Sequence, residues 1–290
     1  MLYTIKNDLL TVTVSDQGAE LMSVKRDNCE YIWQGDPTYW TGRAPVLFPF
    51  CGRLFEKKYT YRGKTYELGT HGFARHSTWE LASATQDCLT FVLRDTDQTR
   101  EVYPFAFSLC ATYRLDGDTL HCGLTLCNTG DEVLPASLGA HPGFNVPLDG
   151  EGDLSDYVLE FGERCSPDEL LFSDTCFNTG KKRAYPLING QIVPLRHNLF
   201  DIDGVFFSNI PDTVTLKSNK TDRFVRMRYS NMPYLGIWHK PRTQAPYLCI
   251  EPWCGLPAYD GEIDDFETKN DMFRLLPNDQ KEISYSITFG

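Results

Sequence analysis

Apolar and polar residues alternate with period two through much of this chain. Leu9 to Val14 reads Leu-Leu-Thr-Val-Thr-Val, Thr119 to Cys127 alternates again, and Lys281 to Phe289 sets Ile283, Tyr285, Ile287 and Phe289 on one face. Successive side chains of a strand point to opposite faces, so this pattern predicts half-buried strands. Arg62-Gly63 lies between Tyr59-Thr60-Tyr61 and Thr65-Tyr66, and Asp116-Gly117 between Ala111-Thr112-Tyr113 and Thr119-Leu120-His121. Both are hairpin signals, which makes the neighbouring strands antiparallel. Helical spacing is confined to two short stretches, Asp95 to Tyr103, capped by Asp95 and stopped before Pro104, and Asp264 to Asn270. Neither is long enough to cover a sheet. An all-β chain of this kind is a sandwich, a barrel or a propeller, and the lack of a repeat of about 40 residues counts against the propeller. No Ser/Gly/Pro-rich or charged segment divides residues 1–290, so one domain is expected. Long loops are expected around 34–56, 139–156 and 162–213, and loops on a rigid sheet scaffold are where sites collect.

Charge narrows the choice of partner. The formal net charge is −11, whereas a nucleic-acid groove needs clustered basic side chains to displace counterions, so no nucleic-acid partner is expected. The tight basic cluster Lys181-Lys182-Arg183 follows the turn signal Asn178-Thr179-Gly180 and reads as a solvated loop. A small anionic ligand stays possible, since one or two arginines suffice to hold it. Met1 to Leu10 contains Lys6 and Asp8, unlike a secretory leader, and apolar runs such as Pro45 to Phe50 fall far short of the roughly 20 residues that span a bilayer. The expectation is a cytoplasmic protein with no membrane partner, a monomer or weak homodimer. Ten cysteines are scattered among apolar positions, as reduced buried thiols would be. The nearest pairs, Cys122 with Cys127 and Cys249 with Cys254, lack the two-residue gap of a zinc site, so no metal is expected.

Four segments place polar groups where chemistry needs them. In Tyr247-Leu248-Cys249-Ile250-Glu251-Pro252-Trp253 a carboxylate ends an apolar run beside an indole. Glu is rarely buried unless paired, and desolvation there moves its pKa upward, toward a value useful to a general base. An ordinary ion pair is the plainer alternative. Phe50-Cys51-Gly52-Arg53 offers the planar donor fork of Arg53 to ligand oxygens. In Thr70-His71-Gly72-Phe73-Ala74-Arg75-His76, Gly72 permits a sharp turn that directs His71 and Arg75 into one space. In Leu138-Gly139-Ala140-His141-Pro142-Gly143-Phe144-Asn145 small neighbours let a ligand approach His141, a residue that exchanges protons near neutrality. Trp238 and Trp253 each suit either a flat wall for a ligand or the core.

Taken in order, Gly-Arg, His-Gly-Phe-Ala-Arg, Gly-Ala-His-Pro-Gly-Phe-Asn, Gly236-Ile237-Trp238 and Cys249-Ile250-Glu251-Pro252-Trp253-Cys254-Gly255 resemble the aldose 1-epimerase (galactose mutarotase) family over nearly the whole chain, in particular its bacterial LacX-like branch. The resemblance implies a large antiparallel β-sandwich with a cleft on one sheet. It implies Glu251 as general base and His141 as general acid, with Arg53 and His71 orienting a small aldose. A sugar-binding aspartate would fall at Asp201 or Asp203, with Asp203 favoured because the apolar Val205-Phe206-Phe207 follows it. Two departures bear on the sugar: Gly52 stands where many galactose mutarotases have Asn before the arginine, and His71-Gly72-Phe73 replaces their His-Gly-Gly. Arg75 and the pair His239-Lys240 raise a phosphorylated sugar as an alternative substrate. Anomer exchange needs two proton handlers and no cofactor. The rival classes are a carbohydrate-binding or sensor protein without turnover and a glycoside hydrolase, which would pair Glu251 with a second carboxylate.

Overall fold

The period-two segments form a nine-stranded antiparallel sheet in the computed structural model, which describes residues 1–150 and 152–290. Across the sheet the strands run Ile192–Pro194, Tyr157–Phe161, Thr213–Ser218, Phe224–Ser230, Gln280–Phe289, Thr119–Asn128, Phe107–Asp116, Cys88–Arg94 and Glu80–Ala84. One face is dry: Leu120, Cys122, Leu124 and Leu126 are buried on one strand, and Ile283, Tyr285, Ile287 and Phe289 on the next. An eight-stranded sheet packs against that face. Its main path is Asn178–Ala184, Asp168–Phe172, Val205–Ser208, Tyr234–Trp238, Tyr247–Trp253, Gly139–Ala140 and Val46–Leu47, and Gly143–Asn145 also pairs with Tyr247–Trp253. Ring contacts tie the layers together, Phe161 to Phe207 at 6.0 Å and Phe48 to Phe107 at 4.9 Å between centroids. Each such side chain contributes about 1.5–3 kcal/mol by leaving water. The fold is a large antiparallel β-sandwich.

Three smaller sheets close its edges. The first 30 residues form a four-stranded sheet whose Tyr3 packs on Phe91 at 5.5 Å, and Tyr31, which follows it, packs on Phe289 at 5.1 Å. Leu134–Ala136 pairs with Phe273–Leu275, and Lys58–Tyr61 pairs with Lys64–Glu67 on one side and Asp264–Asp265 on the other. Among the described residues no helix is long and apolar enough to cross a membrane, and all ten cysteines are free thiols.

One local expectation holds and several are corrected. The hairpin at Arg62-Gly63 has both residues at positive φ, 50° and 71°, as a two-residue turn between Tyr61 and Lys64 requires. The other hairpin closes on the Asp116–Thr119 pair, so its turn is Gly117-Asp118, one residue later than the pattern suggested. The helix spans Asp97–Val102 and is capped by Thr96, not Asp95. Asp95 instead accepts from the Phe107 N–H at 2.9 Å and the Arg100 guanidinium at 2.6 Å. No helix forms over Asp264 to Asn270. Asp264–Asp265 pairs parallel with Tyr59 and Thr60, and Lys269 turns inward between Asp264 and Asp271 at 3.2 and 3.1 Å. The expected loop 162–213 contains four of the strands named above. Lys181-Lys182-Arg183 lies on the edge strand Asn178–Ala184, where Lys182 pairs with Asp168 and Arg183 with Glu169, each at 2.7 Å. Charge on an edge strand discourages pairing with another chain, and it also gave the segment the composition of a loop. The 139–156 segment carries two short strands, and Glu151 within it lies outside the described residues.

Candidate active site

The strand Tyr247–Trp253 is buried at every position, so its one carboxylate is held away from bulk water. Glu251 is 1% exposed and stands opposite Gly236 on the neighbouring strand. A Cβ at Gly236 would meet the Phe206 ring at 2.6 Å, so the glycine admits that ring beside Glu251. On the other side, Gly139 pairs with Trp253 and Gly143 with Cys249, and the residues between them arch over the strand. The Ile250 N–H donates to the Pro142 carbonyl at 3.1 Å and pins the arch. His141 is thereby delivered to Glu251, with Nε2 3.1 Å from Oε2. Their alignment leaves both Glu251 oxygens and His141 Nδ1 buried without a hydrogen-bond partner, together with Trp253 Nε1. Buried polar atoms are nearly always satisfied, so four orphans together mark a place suited to a hydroxyl-rich ligand.

His71 arrives from the sharp turn that its sequence suggested. His71 and Gly72 have φ of 64° and 70°, and a Cβ at Gly72 would lie 2.1 Å from the Phe48 carbonyl oxygen. The Gly52 N–H donates to His71 Nδ1 at 3.0 Å, so the neutral ring carries its proton on Nε2 and is a donor there. Arg53, next in the chain, donates from Nη1 to Asp203 Oδ2 at 2.7 Å. Arg75 follows from the turn Ala74–His76 and makes no ion pair among the described residues. Trp40 and Trp238 flank His141 with ring centroids at 5.0 and 5.6 Å. The resulting cleft has a volume of about 230 Å³. That is below the roughly 300–1,000 Å³ of drug-sized sites and suits a single small ring.

Burial dominates the electrostatics. Desolvation, reinforced by Asp203, holds the Glu251 pKa well above the usual carboxylate range against the opposing pull of Arg53 and Arg75. Desolvation, then the positive charge of Arg75, pushes His141 well below its ordinary value, whereas the sequence had suggested an imidazole near neutrality. His71 is lowered by burial and then by His141, Arg75 and Arg53. Both members of the Glu251–His141 pair are therefore driven toward their uncharged forms.

Glu251, His141, Arg53, His71, Asp203, Arg75 and Trp238 all line this cleft. Asp203 is the aspartate that enters it, whereas the Asp201 side chain is exposed and its carbonyl accepts from Arg242 at 3.2 Å. The pair His239-Lys240 does not. His239 is fully buried, with Nε2 3.0 Å from His197 Nδ1 and Nδ1 2.8 Å from the Lys240 carbonyl, and Lys240 donates to the Thr38 carbonyl at 3.0 Å. Burial pushes His239 down to about 4, so it brings no charge for a phosphate. Trp40, Thr70 and Cys176 line the cleft without having been singled out. Trp40 lay inside the expected 34–56 loop beside Gly42, a usable signal, whereas nothing local distinguishes Cys176. Donor atoms of His141, Cys249 and Glu251 also lie within 4.8 Å of one another, a spacing a metal ion could use.

Comparison with known proteins gives consistent results. The family model described as Aldose 1-epimerase matches residues 1–259. Protein LacX of Lactococcus lactis subsp. lactis is 33% identical, covering 99% of each chain. Among solved structures, a galactose mutarotase related enzyme from Lactobacillus acidophilus is 34% identical with a TM-score of 0.96, covering 100% of this chain and 97% of that one. A galactose mutarotase-like protein from Lactobacillus casei is 31% identical with a TM-score of 0.94, covering 100% of both.

Proposed function

The chain belongs to the aldose 1-epimerase family, and from that premise we propose that it interconverts the α and β anomers of an aldohexose through Glu251 and His141. The observation that carries this reading is the buried contact of 3.1 Å between His141 Nε2 and Glu251 Oε2 at the floor of the cleft. Glu251 removes the proton of the C1 hydroxyl while His141 protonates the ring oxygen, and the ring opens to an aldehyde. The two reacting oxygens are both bonded to C1, so proton handlers that nearly touch can serve them together. Rotation about the C1–C2 bond and reversal of both transfers close the ring on the other face. The pair carries one proton throughout: imidazolium with carboxylate before opening, imidazole with carboxylic acid after it. Burial favours the uncharged form, which accompanies the open-chain aldehyde, so the imidazolium–carboxylate form that starts the reaction is the less favoured of the two and is reached by proton transfer across the 3.1 Å contact.

Arg53 and Asp203 hold each other in position for hydroxyl groups, His71 donates from Nε2, and Trp238 with Trp40 walls the ring. Saturation-exchange NMR on equilibrated glucose, galactose and glucose 6-phosphate reads anomer exchange directly. Replacing either proton handler, in Glu251→Gln or His141→Asn, is expected to lose about 10²–10⁴-fold in rate. Sugar binding without accelerated exchange in the wild-type protein would instead make it a carbohydrate-binding or sensor protein. A second reading, a hexose 6-phosphate as substrate, is favoured by Arg75, a cleft guanidinium without an ion-pair partner among the described residues. In that case Arg75→Gln loses more kcat/KM with glucose 6-phosphate than with glucose. Equal losses on the two sugars would leave the neutral sugar as the substrate.

A further inference from the structure

We propose that His141, Cys249 and Glu251 form an inhibitory site for one thiophilic divalent cation such as Zn²⁺; the inhibition, though not the binding, rests on the acid–base reading above. Cys249 and Glu251 are two residues apart on the strand Tyr247–Trp253, so their side chains share a face. The arch between Gly139 and Gly143 brings His141 over that same face. One donor atom from each residue lies within 4.8 Å of the others, and the three residues are 7%, 0% and 1% exposed. Two independent features point to a ligand there. Both Glu251 oxygens and His141 Nδ1 are buried without hydrogen-bond partners, and His141 and Glu251 line the cleft while Cys249 is fully buried.

The donor set selects the ion. Sulfur, imidazole nitrogen and carboxylate oxygen bind Zn²⁺ at about 2.0–2.3 Å, in a tetrahedron whose donors lie closer together than the present limit, so small side-chain rotations complete it. Mg²⁺ prefers an octahedron of oxygens and is excluded. As the Zn–S bond forms, the Cys249 thiol releases its proton to solvent, and any proton on the Glu251 carboxyl leaves with it. Thiolate and carboxylate then cancel the charge of the ion, which lowers the cost of burying all three. Arg53 and Arg75, which line the same cleft, are the nearby charges that oppose the cation, and Asp203 offsets them in part. The fourth coordination position faces the cleft and takes water or a sugar hydroxyl. An ion seated there occupies both proton handlers.

The test is a Co²⁺ titration of the intact protein followed by absorbance, with Zn²⁺ as competitor. One equivalent is expected to produce a thiolate-to-cobalt charge-transfer band and tetrahedral ligand-field bands, both displaced by Zn²⁺. Cys249→Ala removes the charge-transfer band although the other cysteines remain, and Glu251→Gln, which keeps the thiol, weakens cobalt affinity by at least about tenfold. In the exchange assay Zn²⁺ inhibits the wild type, Mg²⁺ does not, and Cys249→Ala needs at least about tenfold more Zn²⁺ for the same inhibition. Cobalt bands that persist unchanged in Cys249→Ala, or equal Zn²⁺ sensitivity of the two proteins, would overturn the proposal. Cobalt bands without any anomer exchange would keep the metal site and remove the epimerase reading.

Discussion

Glu251→Gln is expected to make the protein more stable while it removes activity. Glu251 is 1% exposed, and neither of its oxygens has a hydrogen-bond partner. A buried polar group left unsatisfied costs about 1–3 kcal/mol, and a charged one more. Glutamine fills the same volume and opens no cavity, and although its amide is as short of partners as the carboxyl it cannot ionise, so the cost removed is that of the buried charge. The gain is therefore about 1–3 kcal/mol at about pH 8, a rise of a few degrees in Tm at roughly 2–4 °C per kcal/mol. Its pH dependence has a definite sign. The folded pKa of Glu251 lies above its ordinary 4.5. Its contribution to stability is thus complete below that value and is lost as pH rises through the folded pKa. Glutamine does not titrate, so the advantage of the variant is small near the ordinary carboxylate pKa and grows toward alkaline pH. His141 runs the other way: its folded pKa lies below 6.5, so its contribution is complete above 6.5 and is lost as pH falls. Both proteins contain it, so the alkaline side of the difference between their curves, above the range in which His141 titrates, reports Glu251. Urea unfolding of the two proteins across this range measures the gap, with anomer exchange on the same samples. A variant less stable than wild type at about pH 8, or a gap that does not change with pH, would refute the reasoning.

Three further outcomes follow from the same geometry. Lys269→Met strands the Asp264 and Asp271 carboxylates, now 3.2 and 3.1 Å from the ammonium, and is expected to cost about 3–5 kcal/mol. Chemical denaturation showing under about 1 kcal/mol at neutral pH would contradict it. Gly72→Ala puts a Cβ 2.1 Å from the Phe48 oxygen at φ +70°, so thermal unfolding should report at least about 2 kcal/mol lost from strain and clash together. Kinetics should then show kcat/KM falling with it, because His71 is the adjacent residue. Asp203→Asn weakens a 2.7 Å pair with an Arg53 side chain that is 40% exposed; it should cost under about 1 kcal/mol of stability yet raise KM, as titration with substrate would reveal.

The two sheets were unequally legible. The nine-stranded sheet has one dry face and one wetter face, so its strands alternate and were read directly, down to Ile283, Tyr285, Ile287 and Phe289. Strands buried on both faces or wet on both faces lose that period. Tyr247–Trp253 read as an apolar run, in which Glu251 stood out because it did not belong. Asn178–Ala184 read as a loop because its exposed edge is built from Lys and Arg. The turn chemistry at Gly72 was local and legible, since a positive φ leaves few residue choices. The meeting of His141 with Glu251 was not. It depends on Gly139 pairing with Trp253 and Gly143 with Cys249, a register that no stretch of residues states and that only the family resemblance anticipated. His239 failed as an anion ligand for a similar reason: its basic neighbour was visible, but its burial against His197 and Phe200 was not.

The cost of placing Glu251 in the centre of a sheet becomes intelligible once the pair is treated as one titrating unit. In the proposed mechanism ring opening moves one proton from a hydroxyl to Glu251 and one from His141 to the ring oxygen, so the net charge of the cleft does not change during the reaction. A low-dielectric site penalises net charge far more than it penalises an internal transfer. Burial would therefore leave the proposed step nearly unopposed while it strengthens each contact made to a bound sugar. The same burial leaves three polar atoms of the pair unsatisfied in the free protein. A hydroxyl-bearing ring that fits between Trp40, Trp238 and the Arg53–Asp203 pair would satisfy them together. The stability given up at Glu251 and the affinity proposed for the sugar thus share one physical origin, and Glu251→Gln should change both.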